Sequence, residues 1–133
     1  MTNQVNTNVK ILLVEDQKVP MMIHSKILTD LGYALDKAEN GTDAVNMSKN
    51  GYDIIFMDIG LPDISGIEAT KQIREYEKTT HHQTKIIALT AYSLAEISEQ
   101  CFAVGVDDIA NKPITKDKIQ ALIEKHIYAE AQI

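Results

Sequence analysis

The sequence predicts a single α/β domain in which a parallel sheet is covered by helices on both faces. Three observations predict it. Short apolar runs alternate with amphipathic stretches five times along 133 residues, the pattern of repeated βα units joined by right-handed crossovers. The strongest runs, residues 10–14 (KILLV), 53–58 (DIIFMD) and 85–90 (KIIALT), are almost uninterrupted, as strands buried on both faces require. Hydrophobic residues make up 44% of the chain and charged residues 24%, enough to build one core at this length without disulfides.

The elements follow in order. After the first strand, Pro20 stands where a helix can begin, because its missing N–H costs nothing in a first turn. Ile23, Ile27, Leu28 and Leu31 continue at helical spacing, and Gly32 is placed to stop that helix. Residues 33–38 read as a weaker strand and Asn40-Gly41 as a turn, while Ala44, Val45 and Met47 mark a short helix ending near Gly51. The third strand closes on Asp58, and Leu61-Pro62-Asp63 with Ser65-Gly66 forms a loop, Gly66 serving a tight turn, before a helix over residues 67–78. Leu94, Ile97, Cys101 and Val104 step along one face of a fourth helix that Gly105 ends. Residues 106–111 form a short fifth strand, Lys112-Pro113 follows, and Ile119, Leu122, Ile123 and Ile127 define the last helix.

A net charge of −6 argues against direct nucleic-acid binding, which needs a basic face. The lone Cys101 cannot form an internal disulfide, so a reducing, cytoplasmic setting is expected. No stretch approaches the roughly 20 apolar residues that span a bilayer, and no membrane contact is expected. The polar residues 1–8 lack an apolar targeting stretch. They are expected to form a flexible tail, with the domain over residues 9–128 and a C-terminal tail over residues 129–133. A stand-alone domain and a piece of a longer protein are both compatible with this organisation.

In open parallel sheets ligands bind beyond the carboxyl ends of the strands, near the point where strand order reverses. The first strand runs into Glu15-Asp16, the third ends in Asp58, the fourth in Thr90-Ala91, and the fifth leads into Lys112-Pro113. Singly, each has an ordinary structural reading: acidic residues and hydroxyls cap helices, and a lysine is usually solvated. Together they fall on one edge of the sheet. Three carboxylates in one cleft repel each other unless a cation joins them, and a few oxygen ligands with room for water suit Mg²⁺. One lysine cannot neutralise such a cluster, but it can meet an incoming phosphoryl oxygen, while the Thr90 hydroxyl and the Ala91 N–H serve another. An acceptor, a metal and cationic or N–H clamps are what phosphoryl transfer needs.

Val14-Glu15-Asp16, Met57-Asp58 with Leu61-Pro62 following, Leu89-Thr90-Ala91 and Lys112-Pro113 together resemble the response-regulator receiver family of two-component signalling, over residues 9–127. Gly105-Val106-Asp107-Asp108 ahead of Lys112-Pro113-Ile114 is similar to the receivers of hybrid sensor histidine kinases. The resemblance implies a flavodoxin-like (βα)5 three-layer sandwich with strand order 2-1-3-4-5. It implies Asp58 as the phosphoacceptor. Asp16, Asp58 and the backbone carbonyl of Gly60 are the implied Mg²⁺ ligands, with Glu15 acting directly or through water and Mn²⁺ as a substitute ion. Thr90, Ala91 and Lys112 are the implied phosphoryl-binding groups, and a cis peptide is implied at Lys112-Pro113. The implied donor is a histidine kinase or a histidine phosphotransfer protein. The implied output is the surface of the fourth helix, fifth strand and fifth helix, read by a downstream effector or a second copy of the chain. Such a domain is a switch that catalyses its own aspartyl phosphorylation and dephosphorylation.

One position departs from the family. Three residues before the lysine, where Tyr or Phe is usual, stands Ile109, so a small shift of the loop between the fourth strand and fourth helix is expected in place of aromatic rotation. Gly60 and Tyr92 occupy positions that influence the access of water to the acyl phosphate. His81 and His82 read as solvated loop; Cys101, Met21 and Met22 read as packing. Three rivals are set aside on particular residues. A silent pseudo-receiver would lack the acidic pair, the acceptor or the lysine. An FMN carrier would not place Glu15-Asp16 where its phosphate loop belongs. A haloacid-dehalogenase-type phosphatase needs an acid two residues beyond the nucleophile, where this chain has Gly60.

Overall fold

The computed structural model describes residues 6–91 and 93–128. Strands and helices alternate as β1 (Asn6–Val14), α1 (Lys18–Asp30), β2 (Tyr33–Ala38), α2 (Gly41–Ser48), β3 (Ile54–Asp58), α3 (Gly66–Glu77), β4 (Lys85–Thr90), α4 (Leu94–Ala103), β5 (Asp108–Asn111) and α5 (Lys116–Ile123). The strands pair in parallel in the order β2-β1-β3-β4-β5, which is the flavodoxin-like order expected.

The apolar runs become the central strands because successive side chains leave on opposite faces and both faces are covered. Leu12 and Val14 of β1 enter one core with Ile55, Met57, Ile86 and Ala88, beneath Ala44 of α2, Ala69 and Ile73 of α3 and Cys101 of α4. Ile11 and Leu13 enter the other with Ile54, Phe56, Ile87 and Leu89, beneath Leu28 of α1 and Ile119, Leu122 and Ile123 of α5. Gly32 and Gly105 follow α1 and α4 at φ of 97° and 102°, where a side chain would be strained.

Several boundaries differ from expectation. The first strand begins at Asn6, so residues 6–8, expected in the tail, extend β1; Asn6 pairs with Tyr33 and the register shifts before Ile11. Residues 1–5 and 129–133, the remainder of the two expected tails, lie outside the described residues, as does Tyr92. Helix α1 starts at Lys18, with Pro20 third and still inside the first turn. Its buried face is His24, Ser25 and Leu28, while Ile23 is 47% exposed beside Val19 and Met22. The helix carries more apolar residues than one face can hold, and tertiary contacts at His24 and Leu28 set its rotation. Met21 packs against the core as expected, and Met22 does not.

Strand β5 omits Val106 and Asp107. The Val106 N–H closes α4 on the Cys101 carbonyl, and the Asp107 carboxylate accepts from Ile86 N–H and from Arg74, both at 2.8 Å. Arg74 also donates to the carbonyls of Gly105 and Thr84, tying the edge of the sheet remote from the strand ends. Helix α5 passes into a π-helical turn, Glu124–Tyr128, which sets His126 2.9 Å from an Asp108 oxygen.

Gly66 is the first residue of α3 rather than a turn residue, with Ser65 capping the helix by accepting from Glu68 N–H. A Cβ at Gly66 would run into the backbone carbonyl of Asp58, whereas one at Gly60 would meet open space. Gly66→Ala is therefore expected to cost about 1–3 kcal/mol through overpacking, and Gly60→Ala to stay within about 0.5 kcal/mol of the parent. Urea unfolding midpoints check this; equal midpoints for the two variants would refute the close approach of α3 to Asp58.

Candidate functional site

The strand ends converge at the carboxyl edge of the sheet. Parallel pairing sets Val14 beside Met57, Asp58 beside Leu89 and Thr90 beside Asn111. One step further along each strand brings Glu15, Asp58, Thr90 and Lys112 together, although the sequence scatters them.

Glu15, Asp58 and Thr90 are buried and Asp16 is half-buried. One carboxylate oxygen from each of Glu15, Asp16 and Asp58 lies within 4.8 Å of the others. Lys112 Nζ is 2.8 Å from Glu15 Oε1 and 3.4 Å from Asp58 Oδ2. The other Glu15 oxygen accepts from Gln17 N–H at 3.2 Å, and Asp58 Oδ1 accepts from Gly60 N–H at 3.1 Å. The Lys112 N–H donates to the Thr90 carbonyl at 2.8 Å, and the Lys112-Pro113 peptide is cis, as expected. Ala91 follows Thr90 and is exposed.

Burial raises the Asp58 carboxyl pKa above its usual value, and the charge of Glu15 raises it further; the Lys112 ammonium and the Gly60 N–H offset part of this. Burial alone would lower the Lys112 pKa, but the hydrogen bond to Glu15 and the charges of Asp58 and Glu15 outweigh it, so the ammonium is held charged. Three carboxylates against one ammonium leave the cleft negative. The donor set suits Mg²⁺, which prefers oxygen ligands and keeps several waters, because three carboxylates offer one oxygen each to the same small region.

Glu15, Asp16, Asp58 and Lys112 are thus assembled, with one feature that sequence reasoning did not supply: Lys112 rests closer to Glu15 than to Asp58. Also missed was His24, fully buried on α1 with Nε2 accepting from the Ile114 N–H just beyond the cis peptide. A lone histidine among apolar residues carries no signal of that contact. Asp63 was read only as a loop residue, yet its carboxylate accepts from the N–H groups of Gly41 and Thr42 at the start of α2, which holds its pKa well below the usual range, the Thr42 hydroxyl contributing most. His81 is exposed, and His82, also exposed, places Nε2 2.6 Å from the Tyr52 carbonyl. Cys101 packs in the core as expected, where burial pushes its thiol pKa up. Ile109 is buried in the same core.

Residues 11–124 match the family model described as response regulator receiver domain. The hybrid signal transduction histidine kinase B of Dictyostelium discoideum is 44% identical over 129 residues, which cover 89% of this chain and 7% of that protein. The chain therefore spans a small part of the length of such relatives. Among solved structures, the Saccharomyces cerevisiae response regulator Ssk1 receiver, crystallised with the histidine phosphotransfer protein Ypd1, is 32% identical with a TM-score of 0.84, covering 92% of this chain and 91% of that one. The receiver domain of a Pseudomonas aeruginosa sensor histidine kinase, with magnesium coordinated in its active-site cleft, is 33% identical with a TM-score of 0.80, covering 90% and 98%.

Because the folded-state pKa of Asp58 lies above its unfolded value of 3.8, the ionised group opposes folding at neutral pH, and that penalty is relieved as pH falls through the raised value. Asp58→Asn is therefore expected to stabilise the metal-free protein at neutral pH, raising its melting temperature. The gain should shrink as pH falls towards about 4. Thermal melts across pH check this, and a less stable Asn variant would refute the electrostatic reading.

Proposed function

The chain belongs to the response-regulator receiver family, and from that premise we propose that it accepts a phosphoryl group from a phosphohistidine protein onto Asp58 in a two-component or phosphorelay pathway. The observation that carries the proposal is the reach of one ammonium, Lys112, to both Asp58 and Glu15 where three carboxylates share ligand spacing.

In the transfer, an Asp58 carboxylate oxygen forms a bond to phosphorus as the phosphorus–nitrogen bond to the donor imidazole breaks, the electron pair leaving with the imidazole. Lys112 moves from Glu15 towards a phosphoryl oxygen, and the Thr90 hydroxyl and Ala91 N–H take another. Asp16, Asp58 and the Gly60 carbonyl, with Glu15 directly or through water, are the groups that would hold Mg²⁺, or Mn²⁺ in its place, and the ion would supply the positive charge the cleft lacks. The open space at Gly60 leaves a path for water, so the same groups serve later hydrolysis of the acyl phosphate.

The donor is a histidine kinase or a histidine phosphotransfer protein. Val19, Met22 and Ile23 lie on one face of the first turns of α1 and are 59%, 65% and 47% exposed. Beside them, Pro20, Ile23, His24, Lys112 and Pro113 line a hollow of about 210 Å³. An apolar face at the mouth of a charged cleft suits a partner that must present an imidazole to Asp58. Output runs through α4, β5 and α5, where Leu94, Ile109, Pro113, Ile114 and Lys118 border a hollow of about 320 Å³. A downstream effector or a second copy of the chain reads that face. With Ile109 buried, a displacement of the β4–α4 connection carries the signal. Among the described residues no helix is long and apolar enough to cross a membrane, and a cytoplasmic location fits a phosphohistidine donor.

Acetyl phosphate with Mg²⁺ is expected to add one base-labile phosphoryl mass. Asp58→Asn should abolish the addition, and Lys112→Ala should slow it about a hundredfold; phosphorylation of the Asn variant at the parental rate sinks the assignment. With a phosphohistidine protein as donor, Met22→Asp or Ile23→Asp should lower the rate relative to acetyl phosphate about tenfold. An unchanged ratio would remove α1 from the docking face.

A further inference from the structure

The turn that carries Lys112 is anchored on two sides. Upstream, the Lys112 N–H donates to Thr90 O at 2.8 Å. Pro113 has no N–H to offer. Downstream, the N–H of Ile114 donates to Nε2 of His24 at 3.4 Å, in a fully buried setting that joins α1 to the β5–α5 connection. His24 is 1% exposed and Ile114 3% exposed, so the contact between them is shielded from bulk solvent. An imidazole that accepts at Nε2 is neutral and carries its proton on Nδ1. In His24 that Nδ1 is buried without a hydrogen-bond partner. Nothing at Nδ1 therefore favours this ring orientation, and the contact to Ile114 is the polar interaction that does. Burial first, and the Lys112 charge second, lower the pKa of the ring, against a smaller opposing pull from Asp58. A protonated ring would set two donors face to face at Ile114.

We propose that His24 is a positioning residue for phosphoryl transfer: its neutral imidazole, fixed on α1, accepts the Ile114 N–H and so holds the cis Lys112-Pro113 turn that aims the ammonium at Asp58. The inference rests on the receiver reading above and adds to it a residue that touches neither phosphoryl group nor metal. It also gives α1, the helix with the exposed apolar face, a direct hold on the lysine.

The test compares His24→Leu, which fills the space but cannot accept, with His24→Gln, whose amide oxygen can occupy the Nε2 position. Each variant is assayed with acetyl phosphate and Mg²⁺ at a temperature where it is folded. The Leu variant is expected to lose between about tenfold and a hundredfold in maximal rate, with Mg²⁺ affinity unchanged, and the Gln variant to recover most of the loss. A Leu variant at the parental rate, or a Gln variant as slow as Leu, overturns the proposal. Long-range ¹⁵N correlation spectra of the parent protein decide the contact independently of how the variants fold. A proton on Nδ1 with Nε2 unprotonated is expected at neutral pH, and the opposite tautomer or an imidazolium overturns the proposal. If the parent protein takes up no phosphoryl group, the receiver reading itself falls; if the parent is phosphorylated and Leu is harmless, only the role of His24 does.

Discussion

Like charges buried side by side at one edge of the sheet are the constraint on which the rest of the structure turns. Glu15 and Asp58 are almost wholly removed from solvent, and a carboxylate so placed is unfavourable unless it is paired or hydrogen-bonded. Lys112, the Gln17 N–H and the Gly60 N–H supply those partners, but they do not balance the charge. The remainder makes the cleft receptive to a divalent cation, and it makes the position of one ammonium decisive. Lys112 faces two competing carboxylates, and any added phosphoryl oxygen would be a third.

Such a cluster survives only on rigid supports. The central strands are packed on both faces, so the β1–β3 and β3–β4 registers cannot slip without turning every apolar side chain to the wrong side. Register alone then delivers Glu15 and Asp58 to neighbouring positions. Gly66 lets the start of α3 close against the Asp58 backbone, and Asp63 fastens the adjoining loop to the start of α2. Asp58 is held from behind while its carboxylate faces the cleft.

These supports were legible in the sequence to very different degrees. Strands buried on both sides write themselves as unbroken apolar runs, so β1, β3 and β4 and the acidic or hydroxyl residues at their ends could be read directly. Helix α1 was harder, because Val19, Met22, Ile23 and Ile27 line one face and Met21 and Leu28 another. Its rotation is settled by contacts at His24 and Leu28 with residues far along the chain. Asp107 read as part of a strand, yet its role is to accept from Arg74 and Ile86 N–H, a pairing set by tertiary approach and not by periodicity. The preference of Lys112 for Glu15 over Asp58 is a matter of tenths of an ångström, which no spacing rule resolves.

Under the proposed function, the route from the site to the surface would follow the element that is least secured. Cys101 is the one residue of α4 that is buried, while Leu94 and Phe102 are 39% and 51% exposed. An element with so few buried contacts shifts at lower cost than its neighbours. Thr90 ends the strand that leads into it, and the Thr90 carbonyl is bound to the N–H of Lys112. Under the proposed function, a new charge on Asp58 that drew the ammonium and the Thr90 hydroxyl inward would pull on the β4–α4 connection and the β5–α5 turn together. Ile109, paired across the sheet with Ala88, need not rotate for this to happen, because the linkage runs through the backbone on either side of it. On that proposal, isoleucine at this position would remove one moving part and leave the backbone linkage intact.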